Sequence, residues 1–207
     1  MVRVYWAEIP DKENGPKTQS KWARRLFETV LQREYPSLSS PVLLEKDENG
    51  KPFLAEHPEI YMNLSHSGRY AACALGEKPV GIDIECRRSR RKPELVIKKF
   101  HPEEQKLYKD TEEAERERLF YDLWVLKESF MKAEGTGLLI PLNSFYMEEI
   151  SKGRGKVVQN RNHKNYYYML YHLKDMPFSL AACSEEAVFA EEPVRTALSF
   201  SVLPVTE

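Results

Sequence analysis

Between Thr111 and Glu134 the chain carries its longest helical pattern. Leu119, Leu123, Leu126 and Phe130 recur at three- and four-residue steps, backed by Phe120, Trp124 and Met131. Gly135 and Gly137 stop the pattern. A helix with so wide an apolar stripe must be covered by a sheet or by other helices. The rest of the chain offers mainly short strands for that task, so the expected class is α+β.

The strands and turns divide evenly along the chain. Residues 2–9 alternate apolar and polar and predict a first strand. Ser20 is the expected cap of a helix that carries Trp22, Leu26, Phe27, Val30 and Leu31, and Tyr35-Pro36 should end it. Val42–Glu45 predicts a strand before the turn Asp47-Glu48-Asn49-Gly50. Tyr61–Leu64, Tyr70–Leu75 and Val80–Glu85 predict further strands. Leu95–Phe100 begins a helical stretch and Pro102 suits a new helix start. Phe145–Ile150, Lys156–Val158, Tyr166–Leu173 and Phe178–Cys183 read as strands and turns. Two pseudo-symmetric halves are therefore expected, 1–80 and 81–207. Each is one main helix packed on a small, mostly antiparallel sheet, with the active site at their junction.

Composition narrows the partners. The 207 residues are 42% hydrophobic and 30% charged, which suits a soluble chain with a real core. The formal net charge is -1, so no global field draws the chain to nucleic acid or to a membrane. The opening MVRVYWAEIPDKENG lacks the basic and apolar pattern of a secretory signal, and no run has the length of a membrane span. Cys73, Cys86 and Cys183 have neither metal spacing nor the look of a disulfide framework. A cytoplasmic location is expected.

Three segments carry chemistry. In PVGIDIE, Val80, Ile82 and Ile84 alternate with Gly81, Asp83 and Glu85. A strand sends Asp83 and Glu85 to one face, with α-carbons roughly 7 Å apart. Two carboxylates at that spacing can converge on one cation, and oxygen-only ligation favours Mg²⁺ or Ca²⁺. The plainer reading is two solvated acids on a wet strand face. In LWVLKESFMKAEG, Glu128 and Lys132 share a helix face. They offer either a third carboxylate with a phosphate-neutralising lysine, or a surface ion pair. Asn63-Leu64-Ser65-His66-Ser67-Gly68 reads as a small polar turn whose amides and hydroxyls suit phosphate. Adjacent Ser65 and His66 diverge in a strand, and no G-x-S-x-G elbow is present, so a hydrolase triad is not expected. Gly50-Lys51-Pro52 reads as a hairpin turn with an exposed lysine.

Taken in order, N-L-S-H-S, G-I-D-I-E and W-x-x-K-E-S-F-x-K-x-x-G-x-G-L-x-x-P-L resemble the 4′-phosphopantetheinyl transferases. The match is best to the larger, surfactin-synthetase-activating, monomeric class built from two similar halves, and it runs from about Gly50 to Phe145. The resemblance implies transfer of the phosphopantetheine arm of coenzyme A to a carrier-protein serine, with Mg²⁺ as cofactor. It implies that Asp83, Glu85 and Glu128 hold the metal, Asp83 also serving coenzyme A, and that the general base beside Lys132 is Glu128, Glu104 or a water. Ser65 and His66 match the segment that contacts the coenzyme A phosphates, and Lys51 matches another coenzyme A contact. Arg24 matches the arginine of the 3′-phosphate, lying nine residues before Arg33. Glu104 aligns with a glutamate proposed to assist catalysis.

One departure is the short DKENGPKTQSK stretch before the first helix, where the family carries a longer basic region. The basic run Arg87, Arg88, Arg90, Arg91 and Lys92 follows the acidic strand and is expected to dock an acidic acyl or peptidyl carrier protein. Two other classes stay open at this point. One is another Mg²⁺-dependent phosphotransferase or a nuclease, which would want a wider basic surface with stacking aromatics. The other is a non-catalytic coenzyme A or carrier-binding module.

Overall fold

The computed structural model of the protein describes residues 1–10, 16–87 and 92–198. The first half holds β1 (Arg3–Glu8), α1 (Pro16–Glu34), β2 (Leu44–Lys46), β3 (Pro52–Leu54), β4 (Tyr61–Ser67) and β5 (Tyr70–Gly76). After β6 (Val80–Cys86) come three helices, α2 (Pro93–Ile97), α3 (Pro102–Asp110) and α4 (Glu113–Glu134). The chain closes with β7 (Phe145–Met147), β8 (Arg154–Gln159), β9 (Tyr166–Tyr171), β10 (Phe178–Ser184) and β11 (Val194–Arg195).

Two sheets result, one ordered β11-β1-β5-β4 and the other β6-β10-β9-β8-β7, with the β2-β3 hairpin beside them. Every ladder in them is antiparallel except β1 with β11. The sheets face each other across Val4, Trp6, Ala72 and Ala74 on one side and Ile82, Ile84, Leu180 and Ala182 on the other. α1 covers the outer face of the first sheet with Trp22, Leu26, Phe27, Val30 and Leu31. α4 covers the outer face of the second, setting Val125, Leu126 and Phe130 on Tyr168, Leu170, Ala181 and Cys183. Each half is thus one main helix on a mostly antiparallel sheet, the expected α+β class. The carboxy-terminal stretch returns to the first sheet through β11, which the sequence pattern did not suggest, and Leu198 packs on the first core.

Local chemistry explains the boundaries. α1 begins at Pro16, where a missing N–H costs nothing, and Ser20 lies exposed inside the helix instead of capping it. In the β2-β3 turn, Asp47 Oδ1 accepts from the N–H groups of Asn49 and Lys51 at 2.9 and 2.8 Å, and Gly50 takes φ 80°. α4 ends on Gly135 at φ 87°, as expected. However, α4 is buried on nearly all sides from Phe120 to Ala133, beyond the predicted stripe. The second cover comes from Ile97, Phe100 and Tyr108 of the α2–α3 region, packed on Phe120, Tyr121 and Leu123.

The strand expected at Tyr61–Leu64 continues through Ser67 as β4, so most of Asn63–Gly68, read from sequence as a turn, is strand. Only Gly68 and Arg69 turn the chain, since Ser67 pairs directly with Tyr70. The polar side chains are there because β4 meets the free edge of β6. The Ile82 N–H donates to Asn63 Oδ1 at 2.9 Å, the Ile84 N–H to Ser65 Oγ at 3.3 Å and the Cys86 N–H to Ser67 Oγ at 3.1 Å. Side chains on β4 therefore do the work of a backbone ladder, satisfying buried amides that would otherwise be orphaned. Cys73, Cys86 and Cys183 are buried and none of them forms a disulfide. Among the described residues no helix is long and apolar enough to cross a membrane.

Candidate active site

Gly81, Asp83 and Glu85 share one face of β6, as the alternation requires. That face is not simply wet. α4 lies across it so closely that a Cβ on Gly81 would sit 2.0 Å from the Ser129 carbonyl oxygen and 2.4 Å from the Ala133 nitrogen. Beyond Gly81 the strand and helix open into a cleft of about 260 Å³, lined by Leu64, Ser65, His66, Asp83, Glu85, Trp124, Glu128 and Lys132. Three elements thus deliver six of the expected site residues to one place. A larger groove of about 650 Å³ runs past Glu148, Arg154, Lys156 and Phe189. Its arginine is engaged by Glu191 at 2.8 Å, as on an ordinary solvated surface.

The cleft is organised around Asp83. Lys132 Nζ lies 2.6 Å from Asp83 Oδ1 and also donates to Ser65 Oγ and the Ile82 carbonyl, each at 3.1 Å. Ser65 Oγ donates to the same Asp83 oxygen at 2.8 Å. Ser67 Oγ donates to Glu85 Oε1 at 3.0 Å. Lys132 therefore reaches across the cleft to the strand, an arrangement different from a surface pair along its own helix. Asp83 Oδ2 is buried with no hydrogen-bond partner. Desolvation, and then the neighbouring Lys132 ammonium, push the His66 imidazole below its usual range. At neutral pH it therefore offers a neutral N–H donor. Among the described residues no three histidine, cysteine or carboxylate side chains stand close enough together to hold a metal ion as placed.

Three expected residues lie elsewhere. Arg24 Nε bonds Glu28 at 2.6 Å and its guanidinium donates to the Val42 carbonyl at 2.7 Å, on α1. Lys51 is not an exposed turn lysine. Its ammonium donates to the carbonyls of Val80, Lys132 and Ala133 at 3.2, 2.6 and 3.5 Å, tying the β2-β3 hairpin to the carboxy-terminal end of α4. Glu104 is 1% exposed and does not line the cleft. It faces Lys127 Nζ at 2.7 Å, and that lysine also donates to the carbonyls of Leu142 and Phe145. Of the basic loop, residues 88–91 lie outside the described residues. Arg87 at its root bonds Ser179 Oγ at 3.4 Å and the Met176 carbonyl.

The sequence reading gives Lys127 no site role, although a signal is present. Leu123, Trp124, Phe130 and Met131, its neighbours at three and four residues, are all apolar, so its helix face is a core face. Burial pushes the Glu104 carboxyl up to about 7, with Lys127 opposing, and pushes the Lys127 ammonium down. Replacing Lys127 by Met leaves Glu104 buried without its cation. The expected cost is about 3–5 kcal/mol at pH 8. Because the folded pKa of Glu104 then lies above its unfolded value, the deficit shrinks as pH falls and the carboxyl takes up a proton. Urea denaturation at pH 5.5 and pH 8 checks this; a deficit that does not vary with pH would refute the buried-charge explanation.

Comparison with known proteins shows the family of the chain. The family model of the 4′-phosphopantetheinyl transferase superfamily matches residues 79–184, the span that includes β6 and α4. The 4′-phosphopantetheinyl transferase Sfp of Bacillus subtilis is 33% identical over 170 residues, covering 81% of this chain and 74% of that protein. The 4′-phosphopantetheinyl transferase gsp of Aneurinibacillus migulanus is 38% identical over 131 residues, covering 61% and 54%. The L-aminoadipate-semialdehyde dehydrogenase-phosphopantetheinyl transferase of Xenopus laevis is 34% identical over 131 residues, covering 56% and 43%. The chain belongs to the 4′-phosphopantetheinyl transferase superfamily and is an enzyme of that class.

Proposed function

We propose that the protein moves the 4′-phosphopantetheine arm of coenzyme A onto a serine of an acyl or peptidyl carrier protein and releases 3′,5′-ADP. The observation that carries this is the joining of Ser65, His66, Asp83, Glu85, Glu128 and Lys132 in one cleft from three separate elements. The serine oxygen forms a bond to the β-phosphorus as the bond from that phosphorus to the bridging oxygen breaks. The serine proton goes to Glu128, and the electron pair leaves with 3′,5′-ADP. Lys132 supplies a positive donor for the phosphate oxygens, and the His66 N–H a neutral one. The enzyme's share of the work is positioning and charge neutralisation.

The donor chemistry fits Mg²⁺. Asp83, Glu85 and Glu128 are the cleft's carboxylates, and a buried Asp83 oxygen without a partner is the kind of atom a cation satisfies. Those three would hold the ion after side-chain rotation. When bound it would offset the charge of the diphosphate.

The test is mass spectrometry of an apo carrier protein incubated with this protein, coenzyme A and Mg²⁺. A gain of one phosphopantetheine arm that EDTA abolishes supports the reading. No gain on carriers of fatty acid, polyketide and nonribosomal peptide systems would turn it toward another phosphotransferase, a nuclease or a non-catalytic binder. The basic run from Arg87 to Lys92 follows directly on β6, and we assign it to carrier docking. Charge reversal at Arg90 and Arg91 should raise the carrier KM about tenfold and leave the coenzyme A KM alone. Equal change in both constants would reject that assignment.

A further inference from the structure

Two hydroxyls on β4 repeat one bonding pattern against two carboxylates on β6. Ser65 Oγ donates to Asp83 Oδ1 at 2.8 Å and accepts from the Ile84 N–H at 3.3 Å. Ser67 Oγ donates to Glu85 Oε1 at 3.0 Å and accepts from the Cys86 N–H at 3.1 Å. The step is two residues on both strands, so the pleat places each hydroxyl beside one acid. A serine hydroxyl has one proton to give. With an amide N–H already aimed at its oxygen, that proton is left to point at the carboxylate.

Asp83 is short, buried and also held by Lys132. Glu85 is longer by one torsion and only partly buried, so it has more freedom to lose when the cleft is organised. Ser67 belongs to the wall behind the cleft and is not among the residues that line it. Groups that orient a ligand from behind are worth about 10- to 100-fold in metal affinity or activity. We infer that Ser67 is a positioning residue that holds the Glu85 carboxylate in the orientation that transfer requires. The inference rests on the transfer reaction proposed above and adds a residue to it.

The experiment compares Ser67→Ala, Ser67→Cys and Ser67→Thr with wild type in the carrier assay. Alanine removes the donor, cysteine leaves a weak one of similar shape, and threonine restores it. The expected result is a kcat lower by about 10- to 100-fold for Ala and Cys. KM for coenzyme A and carrier should stay within about twofold, and Thr should recover most of the rate. Paramagnetic resonance with Mn²⁺ should show weaker binding by Ala and Cys in proportion.

Wild-type kcat in both Ala and Cys would overturn the inference. So would a loss that Thr does not recover while Mn²⁺ affinity is unchanged, since that is the mark of a purely structural strand contact. If wild type itself modifies no carrier, the transfer reading fails, and the Mn²⁺ titrations still decide whether Ser67 orients Glu85.

Discussion

Gly81→Ala should be the most damaging one-carbon change in the protein. The new Cβ meets the backbone of α4, 2.0 Å from the Ser129 oxygen and 2.4 Å from the Ala133 nitrogen, so no side-chain rotation relieves it. Helix and strand must separate. Overpacking of a well-filled core costs typically 1–3 kcal/mol, and two backbone contacts on one atom place this case at about 3 kcal/mol or above. For a chain of this size that corresponds to a Tm lower by roughly 10 °C. The damage falls on function as well, because the same helix carries Glu128 and Lys132 to Asp83 and Glu85. A shift of about 1 Å in catalytic groups costs on the order of 10²-fold in rate. Gly135→Ala is the control. It sits at φ 87° with nothing within 4 Å of the new Cβ, so it should cost only the left-handed backbone strain, about 1–2 kcal/mol. Differential scanning calorimetry of the two variants decides. A Gly81→Ala protein melting at or above Gly135→Ala would mean that α4 does not rest on β6 as described.

This contact also shows what the sequence could and could not disclose. Alternation in PVGIDIE set Asp83 and Glu85 on a common face, and spacing set Glu128 and Lys132 on another. Neither pattern contains the information that the two faces meet. That follows from Gly81, whose missing Cβ is an event between elements distant in sequence. The same limit explains why Ser65–Ser67, within the expected turn Asn63–Gly68, proved to continue the strand. A run of small polar residues looks like a turn to any local rule, and here its side chains are consumed by the edge amides of β6. Lys51 and Glu104 were assigned by motif position, and the structure ties them to backbone carbonyls and to Lys127. Strong local signals survived well: the Asp47–Gly50 turn, the Gly135 stop and the strand and helix order. β11 was lost because two residues of pairing leave no period to detect.

Asp83→Asn should remove transfer almost entirely while leaving the fold in place. Asp83 joins both sheets' chemistry: one oxygen receives Lys132 and Ser65, the other is buried without a partner. The amide keeps the shape and an acceptor, so Ser65 retains a bond and the stability change should be small beside that of Gly81→Ala. The charge is lost, and with it the means to hold a cation and to fix Lys132 electrostatically. Loss of a preorganised electrostatic group in such a site costs about 10²–10³-fold in kcat. The partner test is Lys132→Met, alone and with Asp83→Asn. If the pair only neutralised each other, the double variant would recover much of the activity of wild type. If Asp83 serves the cation and Lys132 the phosphate, the double variant is at least as impaired as the worse single one. Single-turnover transfer to a carrier protein measures this, with circular dichroism confirming the fold. An Asp83→Asn enzyme within tenfold of wild type would remove Asp83 from the reaction and, with it, the carboxylate basis for a metal in this cleft.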